Sequence, residues 1–367
     1  MSTGTAWGAA RLGAVLAEGV TNGHGPARRL TLSAVVAATD GPPTLARVRE
    51  CLDSIPDGPD EVLVIDSPGS LSPAAARNRG ALEAQGDVLV FVDSDVVPHR
   101  DAFQRIRAKL EADPGLAGVF GSYDSRPEAG GLISTFRNLI PHHVHHSSPG
   151  PCTSFWAGLG AIRREAYLAV GGFDAERYSG PQVEDIELGM RLADAGRRIE
   201  LDPTIQGTHL KNWHFGHMVH TDLFSRGVPW VALLLHRRRL PRELNLAHRH
   251  RFTALATVVA VVGVAARRPT LAVGAVAAQA ALNHRLYRLF RHRMGNRGML
   301  AGMALHSLHH LTGVASIAVG ALAYTRERFE CPSTAEPGLA PFVEAPAADP
   351  GPNGTPAVVA GSRAAHL

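Results

Sequence analysis

From Leu30 onward, short apolar runs alternate with stretches of helical spacing. Leu32 to Ala38 (LSAVVAA), Glu61 to Asp66 (EVLVID), Asp87 to Asp93 (DVLVFVD) and Leu116 to Tyr123 (LAGVFGSY) predict four buried strands. Helices are predicted over Thr44 to Ile55, with Thr44 as N-cap, over Pro73 to Gln85, and over Asp101 to Glu111. Strand–helix–strand units of this length imply an α/β fold, a mostly parallel twisted sheet flanked by helices. Beyond Tyr123 the pattern predicts a loop over Ile140 to Thr153, helices over Arg163 to Val170 and Val183 to Ala195, and a strand over Arg198 to Leu201. A helix over Val219 to Arg237 closes this region.

After Arg251 the pattern changes. Phe252 to Ala266 and Thr270 to Leu282 are apolar runs split by Arg267-Arg268-Pro269. Each is shorter than the ~20 residues a bilayer crossing takes. Met299 to Tyr324 is long enough but carries His306, His309 and His310. The basic flanks His248 to Arg251 and Arg285 to Arg297 favour a membrane-associated helical region over a soluble helical bundle. The expected organisation is a flexible segment 1–29, a catalytic domain 30–246, a helical region 247–326 and a disordered tail 327–367.

Composition adjusts this picture in two places. The net charge is +4, and its basic residues crowd between Arg237 and Arg297, which suggests an anionic lipid surface. No basic strip interleaved with aromatics suggests a nucleic-acid groove, so no nucleic acid is expected. Cys51, Cys152 and Cys331 lie far apart in no metal-ligand spacing. With no secretory pattern at the start of the chain, the domain is expected at the cytoplasmic face of a membrane.

The chemistry concentrates at strand ends. In a parallel sheet, ligands bind beyond the carboxyl ends of the strands, where Thr39, Asp40, Asp66 and Asp93 fall. Asp93-Ser94-Asp95 holds two carboxylates that repel unless a hard divalent cation neutralises them, and such an ion leaves positions open for a diphosphate. Alone, the turn fits an ordinary acidic loop better than a metal site. Glu184-Asp185 opens a predicted helix, whose dipole keeps a carboxylate ionised and able to take a hydroxyl proton. His209 can supply an imidazole to the same ion. Lys211 and Trp213 can meet diphosphate and a sugar face, or merely cap and pack their segment. The cluster His142 to His146, between Pro141 and Pro149, has no cysteine or carboxylate nearby, which argues against a zinc site. It reads either as a solvated loop or as imidazoles lining the pocket.

In order and spacing, Asp66, Ala76-Arg77-Asn78-Arg79-Gly80, Asp93-Ser94-Asp95, Gly171-Gly172-Phe173-Asp174 and Val183-Glu184-Asp185-Ile186-Glu187 resemble glycosyltransferase family 2, which has the GT-A fold. The similarity covers roughly Leu30 to Leu246. Within it, Phe155-Trp156-Ala157-Gly158 and the His-Leu-Lys-x-Trp segment resemble bacterial members with an apolar C-terminal extension. The resemblance implies a UDP- or GDP-linked sugar donor held by Thr39, Asp40, Asp66, Arg77, Asn78, Asp93 and Ser94. It implies Mg²⁺ or Mn²⁺ on Asp93 and Asp95 with His209, and Asp185 as general base beside Glu184. Trp156, Gly158, Lys211 and Trp213 would form the sugar or acceptor pocket. The implied reaction is inverting transfer to a hydroxyl, with a lipid-linked or envelope glycan precursor as the expected acceptor. Many relatives carry two adjacent aspartates after the second strand, where this chain has Asp66-Ser67. A sugar-1-phosphate nucleotidyltransferase would need a Gly-rich basic phosphate loop that Thr39 to Pro43 does not supply. A silent membrane-associated binding protein is the other alternative.

Overall fold

The computed structural model describes residues 28–330, apart from 239 and 242. The expectations for the first 27 residues and for the tail beyond Glu330, with Cys331, lie outside the described residues. The order begins β1 (Leu32–Ala38), α1 (Leu45–Ser54), β2 (Glu61–Asp66), α2 (Pro73–Glu83), β3 (Val88–Asp93), β4 (Val96–Pro98), α3 (Ala102–Ala112) and β5 (Leu116–Tyr123). It continues with α4 (Leu132–His146), β6 (Gly150–Cys152), β7 (Leu159–Arg163), α5 (Arg164–Ala169), α6 (Glu184–Asp194) and β8 (Arg198–His209). Apart from β4, which was not expected, strand and helix bounds up to β5 match the expected ones to within two residues.

The sheet order is β2-β1-β3-β7-β5-β8-β4, with β6 also on β8. β1 runs parallel to β2 and β3, and β5 parallel to β8. β7 enters antiparallel between β3 and β5, and β4 and β6 run antiparallel to β8. The sheet is therefore mixed rather than mostly parallel. The sequence pattern missed β7 because it is only five residues long, follows Gly158 and carries Gly160 inside it. Gly160 is what lets it fit, since a Cβ there would lie 2.3 Å from the Trp156 carbonyl and 2.5 Å from the Phe155 ring.

Alternation along β3 serves both faces. Val88, Val90 and Val92 join Val48, Leu52, Phe103, Ile106 and Leu110 from α1 and α3. Leu89 and Phe91 join Ala74, Ala81, Tyr167 and Leu188 from α2, α5 and α6. Helix α2 starts with Pro73 at its first position, and the Ser72 hydroxyl accepts from Ala75 N at 3.1 Å. Gly80 brings α2 close to the sheet, where a Cβ would meet Val35 at 2.5 Å. Thr44 does not cap α1. Its hydroxyl donates instead to the Ser94 carbonyl at 2.7 Å, tying α1 to the acidic turn.

The predicted loop over Ile140 to Thr153 is instead the end of a helix, with Pro141 inside α4. Phe136, Leu139, Ile140 and Val144 recur at helical spacing and are all buried, so packing overrides the proline. Beyond β8, α7 (Phe215–His220), a π-helical turn (Thr221–Gly227) and α8 (Val228–Arg237) run on continuously. Then come α9 (His248–Ala265), α10 (Pro269–Leu282) and the long α11 (His284–Glu330), broken at Gly295 with φ 72°. Among the described residues no helix is long and apolar enough to cross a membrane. The expected transmembrane helix is not found there. The histidines of α11 explain part of this, because they are structural: His306 bonds Tyr287 at 2.9 Å and His310 at 3.1 Å.

Replacing Gly160 with alanine should destabilise the domain by roughly 1–3 kcal/mol through overpacking. Urea denaturation checks this, and an unchanged midpoint would show that β7 is not wedged as described.

Candidate active site

The carboxyl ends of β1, β2 and β3 share one edge of the sheet. In register, Ala38 stands opposite Asp66 and Ala37 opposite Asp93. The loop after β2 folds back on β1, with Ser67 N donating to the Ala38 carbonyl at 3.1 Å and Gly69 N to that of Thr39 at 2.9 Å. Thr39, Asp40 and Asp66 thus line one end of a cleft, and both aspartates are exposed. The buried Ser67 hydroxyl has no hydrogen-bond partner.

The acidic turn is fixed from three sides. Asp93 N donates to the Gly158 carbonyl at 3.1 Å, Thr44 holds the Ser94 carbonyl, and Leu210 N donates to the Asp95 carbonyl at 2.8 Å. β4 pairs Val96 with His209, so the imidazole arrives beside the turn. His209 Nε2 lies 3.7 Å from Asp95 Oδ2, its ring stacks on Tyr123 at 4.3 Å, and its Nδ1 is buried without a hydrogen-bond partner. Burial works against ionising Asp95, but the His209 imidazole, with Lys211 beyond it, outweighs that and holds the carboxyl below its usual value. Asp93 is pushed the other way, by burial and by the Asp95 charge, against the pull of Arg77.

Arg77 joins the turn to α6. Its guanidinium donates to Asp93 Oδ1 at 2.8 Å and to Glu184 Oε1 at 2.9 Å, with the Phe173 ring 5.4 Å away. Burial opposes its charge, yet the two carboxylates more than compensate and raise its pKa. Next to this bridge, Asp185 Oδ2 accepts from Ala157 N at 3.2 Å and Oδ1 from Ile186 N at 2.8 Å. Burial, then the Glu184 charge, raise the Asp185 pKa to about 6, with Arg77 and Arg226 opposing.

Several expected residues have other jobs. Asn78 is turned away from the cleft: its amide donates to the Phe173 carbonyl at 2.8 Å, and its oxygen accepts from Phe173 N and Tyr167 OH. It holds the Gly171-Gly172-Phe173 loop rather than a ligand. Arg77 and Glu184 are likewise occupied with each other. Gly158 packs under Trp156, where a Cβ would lie 2.3 Å from the indole. Trp156 meets Tyr123 edge-on at 4.8 Å. Trp213 lies between Arg137 at 4.7 Å and Lys211 at 5.0 Å, with its Nε1 buried and unpartnered.

The cluster His142 to His146 lies on the last turns of α4, not in a solvated loop. His142 Nδ1 donates to the Tyr123 carbonyl at 2.9 Å, and His145 packs against Phe120 and Trp156. Burial lowers His145 to about 3, so it is neutral. These imidazoles back the cleft's aromatic wall.

Sequence reasoning missed Tyr123, Ser67 and Arg226. The first two fall at or just past strand ends, the same signal that singled out Asp66 and Asp93. Arg226 comes from the π-helical turn, whose neighbour Asp222 is pinned by Arg137 at 2.6 Å and His309 at 2.9 Å. No linear pattern marks it. An oxygen-plus-imidazole donor set of Asp93, Asp95 and His209 suits a divalent ion such as Mn²⁺. Among the described residues no three His, Cys, Asp or Glu side chains already form a metal cage.

Residues 35–170 match the model of Glycosyl transferase family 2. The chain is 30% identical over 170 residues to the pre-mycofactocin glycosyltransferase of Mycobacterium tuberculosis, in strains CDC 1551 and H37Rv, covering 42% of this chain. The match spans 34% of that relative, about a third of its length. The mannosyltransferase PcManGT from Pyrobaculum calidifontis, solved with GDP-Man and Mn²⁺, superposes with TM-score 0.50 at 16% identity over 85% of this chain and 93% of its own. At that identity the likeness establishes the GT-A fold alone.

Arg77→Met should destabilise the protein by about 3–5 kcal/mol, because it strands the buried Glu184 carboxylate. Adding Glu184→Gln should recover part of the loss in chemical denaturation. A cost below about 1 kcal/mol would show that the bridge does not hold the site together.

Proposed function

We propose that the chain is an inverting glycosyltransferase, moving a sugar from a UDP- or GDP-linked donor to a hydroxyl acceptor. The observation that carries this reading is Asp185, a buried carboxylate with its pKa raised to about 6, tied through Glu184 and Arg77 to the Asp93-Ser94-Asp95 turn. A base of that strength is ionised at neutral pH and still basic enough to accept a hydroxyl proton.

In this reading Asp66, with Thr39 and Asp40, receives the nucleoside, and the unpartnered Ser67 hydroxyl is free to bond it. Asp93, Asp95 and His209 would hold Mg²⁺ or Mn²⁺, which when bound neutralises charge developing on the departing diphosphate. Lys211 and Arg226 bring further positive charge to the cleft. Trp156 and Trp213 offer aromatic faces to the sugar or acceptor. Asp185 takes the acceptor proton as its oxygen attacks the anomeric carbon from the face opposite the leaving group. A mannosyltransferase of the same fold is solved with GDP-Man and Mn²⁺, which is compatible with this arrangement.

We place the acceptor on a lipid-linked or envelope glycan precursor, and the enzyme at the cytoplasmic face of the cell membrane. The support is the helical region. α11 packs on the π-helical turn that carries Arg226, where Ser316 Oγ donates to the Leu223 carbonyl at 3.4 Å. Apolar helices are thereby joined to the wall of the cleft.

Asp185→Asn should lower transfer by roughly 10²–10⁴-fold while donor affinity is kept. Transfer that survives this change assigns the base elsewhere. In the unaltered enzyme, only the ionised carboxylate acts, so the rate should fall as pH drops through about 6, approaching ~tenfold per pH unit below it. A rate flat down to pH 4.5 would contradict the assignment. Asp95→Ala should weaken donor binding measured with Mn²⁺ by calorimetry, and unchanged affinity would remove Asp95 from the ligand set.

A further inference from the structure

The α9–α10 hairpin is built inside out. The side chains it buries against its own partner helix and α11 are polar or small. Thr253, Thr257, Gln279 and Asn283 are nearly inaccessible. They bond mostly to one another and to α11: Asn283 Nδ2 donates to Thr253 Oγ1 at 2.9 Å, and Gln279 Nε2 donates to Ser307 Oγ at 2.9 Å, while Asn283 Oδ1 is buried without a partner. Near the tip the helices approach closely, since a Cβ on Gly263 would lie 2.8 Å from Ala272 N. The side chains it exposes are apolar. Leu255 is 59% exposed, Val264 71% and Val273 69%. Small and hydrogen-bonded residues inside with branched apolar residues outside is the arrangement of helices surrounded by lipid.

The exposed apolar surface is not confined to one side. One groove is lined by Val261, Val264, Val273 and Val276, another by Phe252, Leu255, Leu271 and Ala278. At 3.6 residues per turn these two sets lie about half a turn apart on both helices. A protein partner covers one face, whereas an apolar medium covers both.

Charge brackets this shaft. Arg267 and Arg268 are exposed at its tip, and Arg285 and Arg288 are exposed at its root. No Asp or Glu occurs between Glu243 and Glu327. Such a surface complements anionic phosphates. Neither helix supplies the ~20 apolar residues of a full crossing.

We propose that the α9–α10 hairpin is a membrane-docking element, its shaft immersed in acyl chains and its arginines at root and tip bound to anionic lipid phosphates. This deepens the membrane placement in the reading above and stands apart from the chemistry of the cleft.

The test is flotation of the full chain with phosphatidylcholine vesicles, with and without phosphatidylglycerol. The unaltered chain should float with the anionic vesicles. The triple variant Leu255→Glu, Val264→Glu, Val273→Glu alters exposed positions only, and circular dichroism confirms that it folds. It should lose vesicle partition at least ~tenfold. Arg267→Gln with Arg268→Gln should reduce the preference for anionic over neutral vesicles. The proposal is overturned if the unaltered chain stays in the soluble fraction, or if the triple variant floats equally well. It is also overturned if light scattering shows a dimer that the triple variant dissolves while vesicles are ignored, because a second copy then covers the hairpin. Donor binding, followed by thermal shift with Mn²⁺, separates the two readings. Its loss with flotation intact counts against the transferase, and flotation lost with donor binding intact counts against the hairpin alone.

Discussion

A guanidinium enclosed between two carboxylates from distant parts of the chain sets the geometry of this domain. Arg77 reaches from α2 to Asp93 at the end of β3 and to Glu184 at the start of α6, and all three are removed from bulk water to differing degrees. A buried charge without its partner is costly, so each member requires the other two. The consequence is positional. The acidic turn and the neighbouring Asp185 are held at one spacing before any ligand arrives, which is the form of preorganisation that speeds a displacement. The close packing of α2 at Gly80 and the wedged strand β7 at Gly160 serve the same end, since both fix the elements from which Arg77 and Asp93 project.

Electrostatics then divide labour among four acidic residues in one cleft. Asp95 is kept ionised by the His209 imidazole, while Asp93 depends on Arg77 to offset burial and the charge of its neighbour. Asp185, buried and next to Glu184, has its pKa raised to about 6. Environments that push carboxylates apart in this way separate a proton acceptor from groups that hold a cation. The aromatic wall of Tyr123, Trp156 and His209 limits water on the same side, with neutral His145 behind it.

Much of this was legible in the sequence, and the parts that were not share a cause. β1, β2, β3 and β5 announced themselves because each is an apolar run bounded by turn residues, and their ends located Asp66 and Asp93 directly. Local pattern could not place β7, whose partners β3 and β5 lie far away in the chain, nor show that it runs antiparallel. Pro141 suggested a loop where the packing of Phe136, Ile140 and Val144 sustains a helix. The Ala76-Arg77-Asn78-Arg79-Gly80 stretch was recognisable, but its division of roles was not. Only the fold shows that Asn78 serves the Phe173 loop and Arg77 the carboxylates. Arg226 illustrates the limit most plainly, because its place beside the cleft depends on α4 and α11 clamping Asp222.

We propose that the cleft beyond β1, β2 and β3 binds a nucleotide sugar through a divalent ion. A thermal-shift screen of UDP- and GDP-sugars, each with and without Mn²⁺, tests it most directly. Binding to the folded state alone stabilises by mass action, about 2.7 kcal/mol at a hundredfold excess over Kd. The account predicts that at least one donor raises the melting temperature with Mn²⁺ present and loses most of that effect without it. A folded protein whose melting temperature no donor shifts, with or without the ion, would contradict it.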